Sequence, residues 1–374
     1  METIWKNDRK LGFGLMRLPL LDPEDPASID LDTMNQMVDA FIENGFTYFD
    51  TAWMYCGFAS ESFAKEALVK RHPRNSFTLT TKLDAGFLKT KEDRDRIFDE
   101  QLNKTGVEYF DYYLLHDMGK DHFKIYTELD CFEWLKRKKA EGKVKHIGFS
   151  FHDSADVLDE VLQAHPEMEF VQLQLNYLDW NDPAIQSRKC LEIVRKHNKP
   201  VIVMEPVKGG TLASLPTQAE ALLKQENAKA SIPSWAASQE GVALVLSGMS
   251  TMEQLEDNMG FMKDFIPLSK EEEKKLTQVR KILEQSQAIP CTGCSYCVDG
   301  CPQQIPIPKY FSLYNLDLQE AKEKGWTPQG EYYDRLSQSH GKASACISCR
   351  RCEGICPQHL SITKYLKEVA DHFE

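Results

Sequence analysis

Long apolar runs are missing from this 374-residue chain: no window approaches the roughly 18 apolar residues that a membrane-spanning helix needs. A basic excess is missing too. The 45 Lys and Arg are outnumbered by 57 Asp and Glu, spread along the chain for a net charge of −12, which argues against nucleic acid or an anionic membrane as the main partner. A metabolite or a small redox protein suits such a surface better. The first residues, METIWKNDRKLGFG, lack a basic-then-apolar leader, so a cytoplasmic location is expected. Disulfides are not expected in that compartment, yet there are 11 cysteines, and eight of them fall in two short runs, which points to metal. Cys56, Cys131 and Cys190 stand alone and read as small buried hydrophobes.

The hydrophobic share of 42% can build a core, and the length suits one large domain with a smaller one. From Leu11 onward, short apolar runs alternate with amphipathic, charged stretches. Eight segments read as strands: LGFG, TYFDTA, FTLTTKL, DYYLLHD, KHIGFS, FVQLQLNYL, PVIVMEPV and ALVLSGM. The stretches between them have helical patterning. In LDTMNQMVDAFIENG, for example, Met34, Met37, Val38, Phe41 and Ile42 mark one face and Gly45 can end the helix. Repeated strand-helix units over about 250 residues predict an α/β fold, a (β/α)8 TIM barrel in preference to an open sheet.

Polar residues gather at the C-terminal ends of these strands: Asp50, Lys82, His116, Ser150, Asn176 and Glu205. In a barrel those ends share one rim, where catalysis occurs. A polar residue can also simply mark where a strand meets solvent. After Pro267 the pattern changes. SKEEEKKLTQVRKILEQ opens with Ser269 and Glu272 at capping-box spacing and carries Leu276, Val279 and Leu283 on one side, which predicts a connecting helix. The boundary is placed near residue 268, giving a barrel over 1–268 and a second, mainly helical domain over 269–374.

GFTYFDTAWMYCG, with the strands ending TTKL and LLHD, resembles the aldo-keto reductase family, and the resemblance extends over most of residues 8–265. It implies a catalytic tetrad of Asp50, Tyr55, Lys82 and His116. Carbonyl reduction needs a proton at oxygen as hydride arrives at carbon, and a tyrosine with pKa about 10 is reluctant near neutrality. Lys82 would stabilise the phenolate, Asp50 would hold Lys82 charged, and His116 would hydrogen-bond the carbonyl oxygen. Each also has a plainer explanation: a surface aromatic, a structural ion pair, a rim histidine.

For a dinucleotide, NADP or NAD, the resemblance implies nicotinamide contacts from Ser150 and Gln172, with Asn176 nearby. It implies phosphate contacts from Pro206, Val207, Lys208, Gly209 and Gly210 in EPVKGG, where paired glycines let backbone approach a phosphate. In LSGMSTMEQLEDNMG a helix is expected from Ser250, capped with Glu253, and Gly248, Ser250, Gln254 and Asn258 fall at cofactor positions. That segment has no Lys or Arg for an adenosine 2′-phosphate, Phe151 stands where many relatives have Asn, and Met204 where many have Tyr.

The two cysteine runs, CTGCSYCVDGCP and CISCRRCEGICP, both follow C-x2-C-x2-C-x3-C-P, 55 residues apart. Three thiolates on a tight loop can each bind one iron of a cubane, and in two-cluster ferredoxins the fourth crosses over from the other run. This assigns Cys291, Cys294, Cys297 and Cys356 to one [4Fe-4S] cluster, and Cys346, Cys349, Cys352 and Cys301 to a second. Zinc usually takes two separated C-x2-C pairs instead. The 44 residues between Cys301 and Cys346 are long for a compact ferredoxin, and their helical patches resemble the helical dicluster domains of oxidoreductase subunits.

Two functions follow. In one, the barrel is an NAD(P)H-dependent reductase of a small carbonyl compound, or an alcohol dehydrogenase running the reverse oxidation, and the clusters are structural or serve an external redox protein. In the other, the clusters carry the function as an electron-transfer subunit and the barrel is a docking or flavin-binding module. Nicotinamide moves two electrons and a cluster typically one, so direct coupling would need a mediator such as FMN, for which there is no readable motif.

Overall fold

The computed structural model describes residues 9–213, 215–223, 231–285, 288–291, 293–319, 326–356 and 358–374. Pro357 of the second cysteine run and the end of the expected helical patch, 320–325, lie outside the described residues. Eight strands close into a barrel: β1 (Leu11–Gly14), β2 (Tyr48–Asp50), β3 (Thr78–Asp84), β4 (Phe110–Met118), β5 (Val144–Phe151), β6 (Phe170–Gln174), β7 (Val201–Met204) and β8 (Val242–Gly248). Each pairs in parallel with the next, and β8 returns to β1. All eight expected strands are present, so the alternation in the sequence does encode a (β/α)8 barrel.

Two layers of apolar packing follow from the strand period of two. Tyr48, Tyr112, Leu114, Phe170, Ile202, Leu244 and Leu246 fill the barrel, while a larger cluster lies between strands and helices. Gly12 makes the inner layer possible, because a Cβ there would lie 2.7–2.9 Å from Leu246, Leu244 and Tyr48 side-chain atoms. The first helix, Leu31–Glu43, buries Met34, Met37, Val38 and Phe41 as its periodicity predicts, and Asp30 caps its start by accepting from the Thr33 N–H.

Helix Lys270–Gln285 leaves the barrel with the expected capping box: Ser269 N–H donates to Glu272 Oε2 at 2.7 Å and Glu272 N–H to Ser269 Oγ at 3.3 Å. Leu276, Val279 and Leu283 are buried. Beyond it, helices Ile307–Gln319, Pro328–Ser339 and Ile362–Phe373 pack through aromatic contacts, Tyr310 to Tyr333 at 4.4 Å and Tyr333 to Phe373 at 4.8 Å between ring centroids. Their apolar side chains continue the barrel's outer cluster. This segment sits on the rim formed by the C-terminal strand ends: Thr211 Oγ1 donates to Gln319 O at 2.8 Å, Ser312 hydrogen-bonds Asp182, and Arg335 reaches His152 and Asp117.

Beyond β4, helix Lys120–Glu128 buries Tyr126. One local expectation changes. The last barrel helix is Met252–Met262, and its cap is Thr251, whose hydroxyl accepts from Gln254 N–H at 3.2 Å; Ser250 and Glu253 do not form the box.

Candidate functional site: a buried rim tetrad and two cysteine cavities

Asp50 ends β2, Lys82 lies on β3 and His116 on β4, while Tyr55 follows β2 in a turn whose next three residues are all left-handed, Cys56, Gly57 and Phe58 at φ +52°, +57° and +70°. Such backbone is strained for Cys and Phe, and it bends the chain so that Tyr55 faces the rim. The Lys82 ammonium is fully buried, donates to Asp50 and to Thr51 O (2.7 Å), and stands 4.7 Å from the Tyr55 ring centroid. The His116 ring meets Tyr55 edge-on at 5.8 Å. All four expected residues are thus brought together.

The electrostatics differ from the expected phenolate. Burial pushes the Tyr55 hydroxyl well above the usual tyrosine value, and the carboxylates of Asp50, Glu205, Asp84 and Asp117 push it further. Tyr55 is therefore held as a neutral phenol. Burial also lowers the Lys82 ammonium, against the pull of Asp50. The balance arises because Lys82 lies by the ring and already serves Asp50 and Thr51.

Two neighbours of the tetrad escaped the sequence reading. Asp84 Oδ2 is 3.2 Å from His116 Nδ1; burial pushes the Asp84 carboxyl up, but the interactions with His116 and the His122 charge outweigh it and hold it below the ordinary range. Tyr126 Oη lies 2.7 Å from both Leu83 O and His116 O and accepts from Ala85 N–H at 3.0 Å, tying β3 and β4 together behind His116. Neither has a motif; both are contacts made only when strands align.

On the nucleotide side, Ser150 and Gln172 pair in register on β5 and β6 and are buried at the rim. Ser150 Oγ accepts from Asp117 N–H at 2.8 Å, and Gln172 Nε2 donates to Asp50 Oδ2 at 3.3 Å. Asn176 is turned inward: its amide donates to Asp179 Oδ2 (2.7 Å) and Glu205 O (3.1 Å) and accepts from two backbone N–H groups. Lys208 is turned inward as well, its fully buried ammonium 2.9 Å from the fully buried Asp179 Oδ1, so its charge is not offered to a phosphate. Of the loop around Pro206 and Val207, the Gly209 N–H donates to Glu205 Oε2 at 2.8 Å, and Gly210, at φ +100°, faces open space where a Cβ would meet nothing within 4 Å.

At the far end, Ser250 N–H donates to Gln254 Oε1 (2.7 Å), Ser250 Oγ to Arg17 O (3.2 Å), and Asn258 Nδ2 to Gln254 O (2.6 Å). A Cβ on Gly248 would lie 3.1–3.3 Å from the Arg17 stem. The stem of an arginine from the loop after β1, 231 residues earlier in the chain than Gly248, thus lies beside a segment that has no Lys or Arg of its own.

The eight cysteines divide as their crossed spacing implies. Cys291, Cys294, Cys297 and Cys356 line one pocket, walled by Ile307, Pro308, Phe311, Leu360 and Ile362. Cys301, Cys346, Cys349 and Cys352 line another. Four thiols lining each of two pockets form the donor set a cubane takes, so the residues present fit two [4Fe-4S] clusters. Burial pushes the Cys297 thiol up to about 12 and Cys352 to about 11, so both need a nearby cation to become thiolates. The two runs also share backbone strain: residues at offsets of 2, 4 and 13 from the first cysteine are left-handed in both, Gly293, Ser295 and Gln304 in one and Ser348, Arg350 and His359 in the other. Of the isolated cysteines, Cys131 and Cys190 are buried and pushed up to about 12 by burial, as inert hydrophobes should be.

Comparisons with known proteins agree with both halves. The fold resembles an aldo-keto reductase from Klebsiella pneumoniae in complex with NADPH, at a TM-score of 0.58 and 22% identity, covering 73% of this chain and 90% of that one. It also resembles the holo form of an aldo-keto reductase from Bacillus halodurans, TM-score 0.57 and 22% identity over 72% and 91%. Among curated proteins, 9,11-endoperoxide prostaglandin H2 reductase of Trypanosoma cruzi (strain CL Brener) is 27% identical over 46% of this chain and 56% of its own length. Glyoxal reductase of Bacillus subtilis (strain 168) is 25% identical over 44% and 65%. The chain thus spans about half to two thirds of the length of these reductases. No described helix is long and apolar enough to cross a membrane. The model of the aldo/keto reductase family matches residues 10–281 and that of the 4Fe-4S dicluster domain residues 290–361, so the chain belongs to the aldo/keto reductase family and carries a 4Fe-4S dicluster domain.

Proposed function

We propose that the barrel reduces a small carbonyl compound with NADPH, or runs the reverse oxidation, and that Tyr55 is the proton donor. The observation that carries this reading is the convergence of Tyr55, Lys82, Asp50 and His116 on one buried rim, with the phenol held neutral by burial and surrounding carboxylates. A neutral phenol is the form a general acid needs. His116 hydrogen-bonds the carbonyl oxygen and Asp84 orients its ring; Lys82 and Asp50 fix the floor beneath Tyr55. Ser150 and Gln172 would hold the nicotinamide carboxamide, Gly209 and Gly210 would admit the phosphates, and Arg17 with Ser250 would meet the adenosine end. When bound, the nicotinamide supplies the hydride. The inward turns of Asn176 and Lys208 leave them as supports of this site.

We further assign the clusters to the crossed quartets, which line two pockets. Clusters carry single electrons, so this reading gives them to the domain's folding and to exchange with an external redox protein. The assembled tetrad gives the electron-transfer-subunit alternative no support. The test is anaerobic NADPH oxidation with small aldehydes and ketones. Tyr55→Phe is expected to lower kcat by about 10²–10⁴-fold with cluster absorbance unchanged; full activity in that variant refutes the assignment.

A further inference from the structure

The register between β4 and β5 slips by one residue between Leu115 and Met118, because Leu115 pairs with Phe149 but Met118 with Phe151. The extra residue on β4 forms a bulge containing His116 and Asp117, and Asp117 sits at φ +53°. Bulges near active sites re-aim a side chain, and this one aims His116 at Tyr55. A left-handed aspartate needs surrounding contacts to hold it.

Those contacts come from the other end of the chain. Arg335, on helix Pro328–Ser339, is buried at the rim. Its guanidinium donates to Asp117 O (2.9 Å), Asp117 Oδ2 (2.7 Å) and His152 O (2.6 Å), and pairs with Asp121 (3.3 Å) and Glu331 (3.0 Å). It thus bridges the end of β4 to the residue after β5, the two strands that carry His116 and Ser150. Gly119 permits the approach, since a Cβ there would lie 2.5 Å from Arg335 Nε. Two amides report on the junction: Asp117 N–H donates to Ser150 Oγ at 2.8 Å and His152 N–H to Met118 O at 3.1 Å.

We propose that Arg335 is a positioning residue for the reductase site, a clamp lent by the dicluster domain, so that the His116 bulge is held in place only while that domain is folded around its clusters. A cluster-binding domain draws folding free energy from its metal, and losing the metal loosens everything the domain holds. The barrel's rim is thereby made conditional on iron. The kinetic arm of the test rests on the carbonyl-reductase reading; the exchange arm does not.

The experiment compares the loaded full-length protein with Arg335→Met, Arg335→Lys and chelator-treated wild type, by amide hydrogen exchange and steady-state kinetics. In Arg335→Met the visible cluster absorbance should persist, because Arg335 lines neither cysteine cavity. Exchange at Asp117 and His152 should accelerate about tenfold or more, and kcat should fall about 10–100-fold with the KM for the carbonyl within about twofold. Lysine should rescue in part, since one ammonium cannot fork across both strand ends. Removing iron from wild type should accelerate the same two amides. Unchanged exchange in Arg335→Met, or after iron removal, overturns the clamp. If Arg335→Met fails to load clusters, Gly119→Ala displaces the guanidinium from the barrel side; loaded protein with fast exchange supports the clamp, and wild-type exchange overturns it. Absence of carbonyl reduction in wild type with the exchange pattern intact would count against the activity and leave the clamp standing.

Discussion

Asp179→Asn should damage the barrel far more than an isosteric change normally does. Asp179 is fully buried just beyond β6 and gathers three donors: Lys208 Nζ at 2.9 Å on one oxygen, and Gln174 Nε2 at 2.9 Å and Asn176 Nδ2 at 2.7 Å on the other. An asparagine of either orientation turns an NH2 toward a donor and removes the buried carboxylate that pairs with the Lys208 ammonium. Breaking a buried pair on one side costs about 3–5 kcal/mol, whereas replacing both partners by apolar groups of similar size is often near neutral. The expected loss for Asp179→Asn is therefore about 3–5 kcal/mol. The double variant Asp179→Leu with Lys208→Met should recover most of it, giving a coupling energy above about 1 kcal/mol. Urea unfolding followed by tryptophan fluorescence reads this locally, because Trp180 is the next residue and its ring lies 5.1 Å from that of Trp235. A loss below about 1 kcal/mol for Asp179→Asn, or strictly additive losses, would refute the view of Asp179 as the hub of the loop after β7.

Cys301→Ser should strip iron from the quartet of Cys346, Cys349 and Cys352 while sparing the other, and Cys356→Ser should do the reverse; iron content with electron paramagnetic resonance decides, and losses matched to each cysteine's own run would disprove the crossing. Burial pushes the Asp117 carboxyl up, but Arg335 and neighbouring histidines outweigh it and hold it down to about 2, below the ordinary 3.8. A depressed carboxyl gives stability that is full above the unfolded value and lost as pH falls through the folded one, so wild type should lose it between about pH 4 and 2, and Arg335→Met should show no such step in acid titration. Arg17→Ala should raise the KM for NADPH several-fold more than that for NADH; equal changes would remove Arg17 from the 2′-phosphate.

What was legible in the sequence is what repeats or is covalently spaced. Eight apolar runs, six of them with a polar residue toward the C-terminal end, specify a barrel with those residues on one rim, and C-x2-C-x2-C-x3-C-P twice points to crossed quartets. The misreadings concern side chains whose partners are set by packing. Lys208 beside two glycines looks like a phosphate ligand until the fold brings Asp179 under it. Ser250 and Thr251 are equivalent as caps by composition, and only the Gln254 hydrogen bonds distinguish them. Arg335, 218 residues from Asp117, carries no local signature at all.

The exchange of fourth cysteines has a consequence for biosynthesis. On the crossed assignment the first quartet opens at Cys291 but cannot close until Cys356, 59 residues after Cys297, has been made. The second quartet likewise spans from Cys301 to Cys352. Neither cluster can be completed from its own run alone, so iron delivery waits until both runs have been made, and through that interval the thiols of Cys291, Cys294 and Cys297 need shielding from oxidation. The two clusters are then joined in their making, since a run that is lost takes a ligand from each.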